Sequence, residues 1–284
     1  MTSPFEWPPR RRRKKLAVAF PASVLATEDT LELKTIKAGI IGRILAVYRV
    51  DQAVIFMDPE SREGDLKLLK LLLEYMVSPP HLRRKLYPIT RELSAAALLP
   101  PLRIYSHDIP EDLSPGVKLD VLIESCRGFE CRAYMGRWGY SVIRGSFKPG
   151  DVVTAVVESV GGNVVLSPST WGDAYTGFKV KVRREVEPLI ESFRVKGYLI
   201  VLASKYGNWI YESRDGVKSR LSTSKGLLVL FGGPYRCLYE YTDGKLYDFI
   251  VNTIPLQGAL TVRTEEAMIA TLSALDNVLE YFKM

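Results

Sequence analysis

Cysteine and histidine are scarce in this 284-residue chain, with three of the first and two of the second. Three cysteines, an odd number, do not make a disulfide framework. Cys126 and Cys131 stand five apart with no second Cys or His pair at zinc spacing, so no metal site is expected. His81 and His107 lie in proline-rich segments. Nothing near them makes a Ser-His-Asp or Cys-His centre, and they read as loop residues. No apolar run approaches the roughly 18 residues of a membrane helix, so no membrane partner is expected. A phosphate-binding loop is also missing, and "GIIGR" does not have the G-x-G-x-x-G spacing.

Acidic charge is short relative to basic: the formal net charge is +7 and the pI about 9.2. Most of that excess sits in one run, Arg10 to Lys15, so global charge is weak evidence for nucleic-acid binding. "RRRRKK" followed by "LAVAFPASVLA" imitates a secretory signal, but Pro21 interrupts the apolar stretch. The alternative is a disordered basic arm, residues 1–15, leading into a first strand. At 47% hydrophobic and 25% charged residues, the composition suits a soluble globular protein of one or two domains.

Strands alternate with helices at both ends of the chain. "LAVAF" (16–20) and "QAVIFMD" (52–58) read as buried strands. Between them, residues 33–50 place Ile36, Ile40, Ile44 and Val47 at helical spacing, and 65–76 is a second helix. This β-α-β-α order predicts a parallel sheet covered by helices. Residues 79–91 form a proline-rich, basic connector. From 98 to 178 the texture becomes short strands between Gly, Pro and Asp turns, an antiparallel barrel of about five strands, OB-like in size. Gly161 and Gly162 supply one hairpin turn within 159–165. The α/β pattern then resumes: a helix over 184–195, strands at 197–204, 226–232 and 247–251, and a last helix from Thr264. That helix places Met268, Leu272, Leu275, Leu279 and Phe282 on one face. The expected domains are an arm (1–15), a discontinuous α/β domain (16–97 and 179–284), and a barrel inserted at 98–178. An α/β half of about 95 residues would bury too little surface alone.

In open parallel sheets, ligands bind beyond the carboxyl ends of the strands. Three such ends carry conspicuous loops: "LVLFGGPYRCL", "LASKYGNW", and the stretch "NTIPLQGALTVRTEEA". Gly232 and Gly233 let backbone approach a flat ligand, though Gly-Gly after a strand is also a plain turn. Arg43 sits in an apolar helical stretch, either as a snorkelling edge residue or as a fixed cation for an anionic oxygen. Within the barrel, Arg127, Arg132, Arg137, Arg144 and Lys148 interleave with Phe129, Tyr134, Trp138 and Tyr140. That mixture suits single-stranded nucleic acid, held by charge and stacking. The same aromatics serve equally as a barrel core, and acids outnumber bases over 98–178, so any binding face is local.

The segments "LKTIKAGIIGRILAVYRVDQAVIF", "SPPHLRRKLYP" with "ALLPPL", "LVLFGGPYRCL" and "VNTIPLQGALTVRTEEAMIATL" resemble the archaeal and eukaryotic RNA methyltransferases of the SPOUT superfamily that carry an inserted OB-fold. The resemblance implies an α/β fold with a C-terminal trefoil knot, a homodimer whose active sites are completed across the interface, and a cytoplasmic enzyme. It implies S-adenosylmethionine as cofactor and rRNA or tRNA as partner, with a base (uridine N3 in the family's usual label) or a ribose as acceptor. Arg43 matches the motif whose arginine is catalytic. Cofactor contacts would come from Leu230, Phe231, Gly232, Gly233 and Pro234, with Cys237 where relatives usually have glycine. They would also come from Ile254, Pro255, Leu256, Gln257, Gly258, Leu260, Thr261 and Thr264. Asn252, Arg263, Glu265 and Glu266 belong to the same third motif; Thr264 as N-cap and the two glutamates in the first turn are also ordinary helix-start chemistry. The expected RNA contacts are Arg83, Arg84, Lys85, Arg127, Arg132, Arg137 and Trp138. No general base stands out, and a non-catalytic RNA-binding or ribosome-associated relative is the alternative.

Overall fold

A computed structural model describes residues 5–162 and 164–279. Strand β1 (Lys15–Pro21) leads to helix α1 (Leu31–Val47), β2 (Gln52–Phe56) and α2 (Glu63–Val77). A short helix, α3 (Arg83–Leu86), precedes five strands: β3 (Lys118–Arg127), β4 (Glu130–Tyr134), β5 (Tyr140–Arg144), β6 (Val152–Val160) and β7 (Val164–Pro168). Then come β8 (Lys179–Arg183), α4 (Val186–Val195), β9 (Tyr198–Trp209), α5 (Ile210–Thr223), β10 (Gly226–Phe231), β11 (Phe249–Asn252) and α6 (Thr264–Leu279). Of the expected α6 face, Met268, Leu272 and Leu275 are buried. Phe282 and the side chain of Leu279 lie outside the described residues, as does Asn163 of the 159–165 hairpin.

By packing, the chain forms two compact units. One holds the residues up to Arg11, Val77–Ile89 and Arg103–Thr176; the other holds Arg12–Met76, Thr90–Leu102 and the chain from Gly177 onward. These limits differ from the expected 98–178 insert for local reasons. The connector joins the barrel unit, where Leu82 is fully buried and a His81 ring nitrogen is hydrogen-bonded to the Asp120 carbonyl at 2.8 Å. Residues 90–102 join the sheet unit, where Pro100 covers Gly39 so closely that a Cβ there would lie 2.5 Å from its ring. The spacing of "GIIGR" has the same origin: a Cβ on Gly42 would lie 2.7 Å from the Met76 sulfur. Both glycines let neighbours reach the α1 backbone.

The sheet unit is built on six parallel strands in the order β11-β9-β10-β1-β2-β8. Central strands such as β10, "GLLVLF", are buried at every position, because helices cover both faces. Alternate residues Ala17, Ala19, Val54, Phe56, Ile200, Leu202, Leu228 and Leu230 pack with Leu189, Ile190 and Phe193 of α4. Edge strand β8, "KVKVR", was not expected from the sequence; its lysines and arginine are exposed while its valines are half-buried, the charged alternation of a protected sheet edge. Helix α5 was also unexpected, since only Ile210, Val217 and Leu221 are buried in a largely polar stretch.

Helix α1 corrects the expected apolar face. Ile41, Ile44 and Leu45 are buried, whereas Leu33, Ile36, Ile40 and Val47 are exposed. The helix is apolar nearly all round, so spacing alone could not choose the inward side. The basic arm is corrected too. Lys15 belongs to β1. Arg12 is buried and pairs with Asp276 at 3.1 Å. Lys14 donates to the Leu221 and Ser224 carbonyls at 2.6 and 2.7 Å, where the C-terminal end of α5 attracts a cation. Arg11, in the other unit, donates to the Ala174 carbonyl at 3.0 Å.

In the barrel unit, β3-β4-β5-β7-β6 close into a barrel, antiparallel except between β5 and β7. Leu119, Val121, Ile123, Ala133, Met135, Ile143, Ala155, Val157 and Leu166 fill it. Cys126 and Cys131 are directly cross-strand on β3 and β4 and form a single local disulfide, a pairing the sequence reading did not propose. The odd count left one free thiol, Cys237, and hid a local pair. The histidines are anchors rather than loose loop residues. A His107 ring nitrogen is hydrogen-bonded to the Val77 carbonyl at 2.9 Å. Burial pushes the His107 pKa down to about 4, against the pull of that hydrogen bond. The folded chain therefore refuses a proton that the unfolded chain accepts below about 6.5. Stability should fall as the pH drops from about 6.5 towards 4, by up to roughly 3 kcal/mol. Urea unfolding across this range should show the loss, and His107→Gln should reduce its slope.

Candidate active site

Three loops meet at the carboxyl ends of adjacent strands β11, β9 and β10. The first is a bulge in β9. Ile250 of β11 pairs with Leu202, but the next residue, Val251, pairs with Asn208, so residues 203–207 swing out of register. Gly207 makes this possible: a Cβ there would lie 2.5 Å from the Ile250 backbone. The second loop is Gly232-Gly233-Pro234. A Cβ on Gly233 would lie 2.6 Å from both the Ser23 hydroxyl and the Asp58 carboxylate, themselves hydrogen-bonded at 2.6 Å. The third loop runs from Asn252 to Thr264.

Side chains tie these loops together. Asn252 donates from Nδ2 to the Lys205 carbonyl at 3.1 Å and accepts the Ile254 amide at 2.9 Å, joining the first loop to the third. Thr264 Oγ1 donates to the Gly232 carbonyl at 3.0 Å, joining the third to the second. Thr264 is thus a tether, not the side-chain N-cap expected of it. Glu266 does the capping by accepting the Arg263 amide at 2.8 Å. Glu265 is buried and faces the buried Lys37 ammonium of α1 at 3.6 Å, which also pairs with Glu28 at 2.9 Å. Both glutamates serve the start of α6, as helix-start chemistry requires.

The resulting cleft opens to solvent, and its empty space is about 830 Å³ including that open mouth. Phe231, Ile254, Val262 and Ala267 give it apolar walls, while Ser204, Asn252, Thr253, Gln257, Thr261 and Thr264 offer hydrogen-bonding groups. Its charged lining among the described residues is Lys205, Arg236 and Glu240. Arg236 pairs with Glu60 at 3.0 Å. Burial raises the Tyr241 pKa, helped by Asp58 and other neighbours. Such a cleft takes a flat, partly apolar ligand with several hydrogen-bonding edges and little net charge.

Residues 15–275 match the family described as "Putative RNA methyltransferase". The chain belongs to this family. It is therefore an enzyme of the RNA methyltransferase class. Among its relatives is an uncharacterized protein of Haloarcula marismortui, 28% identical, with the similarity covering 91% of this chain and 98% of that one. Another is the human 28S rRNA (uridine-N(3))-methyltransferase, 29% identical over 94% of this chain and 79% of the relative. Among solved structures, the SpoU methyltransferase AviRb from Streptomyces viridochromogenes aligns at 9% identity and a TM-score of 0.39, over 97% of this chain and 61% of that one.

In this methyltransferase the cleft brings together Phe231, Gly232, Gly233, Pro234, Ile254, Gln257, Thr261 and Thr264 of the expected cofactor residues. Leu230 points instead into the sheet core. Leu256, Gly258 and Leu260 line a neighbouring depression that shares Lys205, Asn252, Ile254 and Gln257 with the cleft. Pro255 is exposed and lines neither. Ala203, Ser204, Lys205, Tyr235, Arg236 and Glu240 were not among the expected contacts, although they lie in the loops that the strand-end rule points to. Cys237, at the position of the usual glycine, lines the cleft with Sγ 3.1 Å from the Ser204 hydroxyl. Arg43 is absent from the cleft. It is half-buried on α1, and its Nη1 donates to the Leu102 and Pro101 carbonyls at 2.7 and 3.2 Å.

On the barrel unit, Lys85, Arg132, Tyr134 and Tyr140 gather around Glu124. Arg132 stacks 3.8 Å over the Tyr140 ring, and Lys85 pairs with Glu124 at 2.8 Å. Hydrogen bonding from Lys85, first, lowers the Glu124 pKa. Arg137 stacks on Trp138, whose indole donates to the Glu111 carbonyl at 3.0 Å. Arg83 turns inward to the Ser78 carbonyl at 3.1 Å, while Arg84 and Arg127 are exposed. Replacing Thr264 by Val should leave the Gly232 carbonyl without its donor. Urea unfolding should show a loss of about 1–2 kcal/mol, with the far-UV circular dichroism unchanged.

Proposed function

We propose that the chain transfers a methyl group from S-adenosylmethionine to a base of rRNA or tRNA, with uridine N3 the foremost acceptor. The observation that carries this reading is the convergence of the three loops on one cleft in a member of an RNA methyltransferase family. The cleft residues fit this cofactor. Apolar walls and backbone edges suit adenine, and hydroxyl and amide side chains suit a ribose and an amino-acid end. S-adenosylmethionine supplies the methyl group as an electrophile. The chain positions donor and acceptor and moves the proton. Asn252 and Thr264 fix the loops that form the walls. Glu240 takes the proton from uridine N3, and Arg236 stabilises the anion that remains. The uridine-N3 acceptor is that of the human relative, a 28S rRNA (uridine-N(3))-methyltransferase.

The enzyme acts in this reading as a homodimer. Ile36, Ile40, Arg43 and Val47 follow one another at spacings of four, three and four along α1, so Arg43 lies on its exposed apolar stripe. A second copy covering that stripe would carry Arg43 to the interface, where it could reach the partner's cleft as a catalytic cation. The trefoil knot belongs to the same reading; a crystal structure traced through 226–279 tests it.

The chain should be incubated with unmodified total RNA and isotopically labelled S-adenosylmethionine, and the RNA digested for nucleoside mass spectrometry. Labelled N3-methyluridine is expected. RNA that is bound yet carries no label would contradict the reading and favour a non-catalytic RNA-binding protein. Ile40→Glu should give a monomer by light scattering and lower the yield of label at least tenfold; a fully active monomer would remove the dimer from the account.

A further inference from the structure

A second surface adjoins the cleft. The bulge of β9 carries Tyr206, and the strand ends in Trp209 before α5 begins with Tyr211 nearby. These three aromatics are 58%, 43% and 51% exposed. Trp209 and Tyr211 meet edge to face at 5.1 Å, and Lys205 lies 5.2 Å over the Tyr206 ring. Tyr206 lines the neighbouring depression together with Leu256 and Leu260, which are 102% and 86% exposed. The patch is continuous with the cleft. Lys205 lines both, and Trp209 pairs with Asn252, which also lines both.

Five large apolar side chains held in water beside a binding cleft call for a partner. We propose that this patch receives unpaired nucleotides of the RNA flanking the acceptor, stacked on Tyr206 and Trp209, with Lys205 meeting the phosphates. The inference rests on the methyl-transfer reading and extends it: the acceptor is single-stranded, or is drawn out of its helix, at the cleft mouth. Two features favour RNA over a second copy of the chain here. The patch combines aromatic faces with a cation, the mixture that holds single strands. The stripe on α1 is aliphatic, the kind of surface that packs helix on helix. The reading also fits a Watson–Crick-edge acceptor, since uridine N3 is inaccessible while base-paired.

The test uses the full chain and a fluorescein-labelled single-stranded oligouridine of about 12 nucleotides, a length within the usual range of single-strand sites. Fluorescence anisotropy at fixed salt should show the Tyr206→Ala/Trp209→Ala variant binding about tenfold more weakly or worse, from lost stacking. Its affinity for S-adenosylmethionine and its mass by light scattering should not change. Unaltered RNA affinity would overturn the proposal, and a shift to monomer with RNA affinity kept would assign the patch to a second copy. Because the double variant removes two ring systems, cross-linking of the unsubstituted chain to the same strand carrying 4-thiouridine provides an independent measure. Adducts on Tyr206, Trp209 or Tyr211 are expected; adducts confined to the barrel, or no binding of the strand, would overturn the proposal. Cross-linking here by a chain that does not bind S-adenosylmethionine would instead contradict the methyl-transfer reading and leave this surface standing.

Discussion

The hydrogen bond from the Thr264 hydroxyl to the Gly232 carbonyl fixes where α6 begins relative to the end of β10. Strand ends in a parallel sheet are near one another, but their loops are free to diverge. Here they are held. Thr264 ties the third loop to the second, Asn252 ties it to the bulge of the first, and Gly207 and Gly233 admit neighbours where no Cβ would fit. The cleft follows from those ties. Its polar groups are mostly neutral side chains and backbone, and its few charges, Lys205, Arg236 and Glu240, belong to exposed residues. That distribution suits a ligand recognised by shape and hydrogen-bonding edges rather than by phosphate charge.

Charge elsewhere is largely committed to structure. The basic run near the N-terminus gives Arg12 to Asp276 and Lys14 to the carbonyls ending α5, so an apparent nucleic-acid arm acts as internal bracing. Lys37 does the same at the base of α6 with Glu28 and Glu265. For the RNA of the proposed reaction, the surfaces that remain are local. One place is the barrel-unit cluster of Lys85, Arg132, Tyr134 and Tyr140, although Glu124 neutralises part of it. The other is the aromatic rim beyond the cleft.

Much of this was legible in the sequence, for identifiable reasons. Buried parallel strands are continuous apolar runs, so β1, β2, β9, β10 and β11 could be located, and the turn chemistry of the barrel marked its five strands. The strand β8 escaped because an edge strand alternates charge with valine, and α5 because few of its residues touch a core. The inward face of α1 was misread because a helix apolar on every side carries no phase. The strand-end rule found all three loops. It could not show that Arg43 would be held by the Leu102 carbonyl away from the cleft, nor that Arg236 and Glu240 would be in it, since these outcomes depend on how loops fold back.

Hydrogen–deuterium exchange of the full chain, with and without S-adenosylmethionine, measures the central claim most directly. The account predicts ligand-dependent protection in three separate segments: residues 203–207, 232–237 and 252–264. Protection confined to any other part of the chain, or none at saturating cofactor, would contradict it.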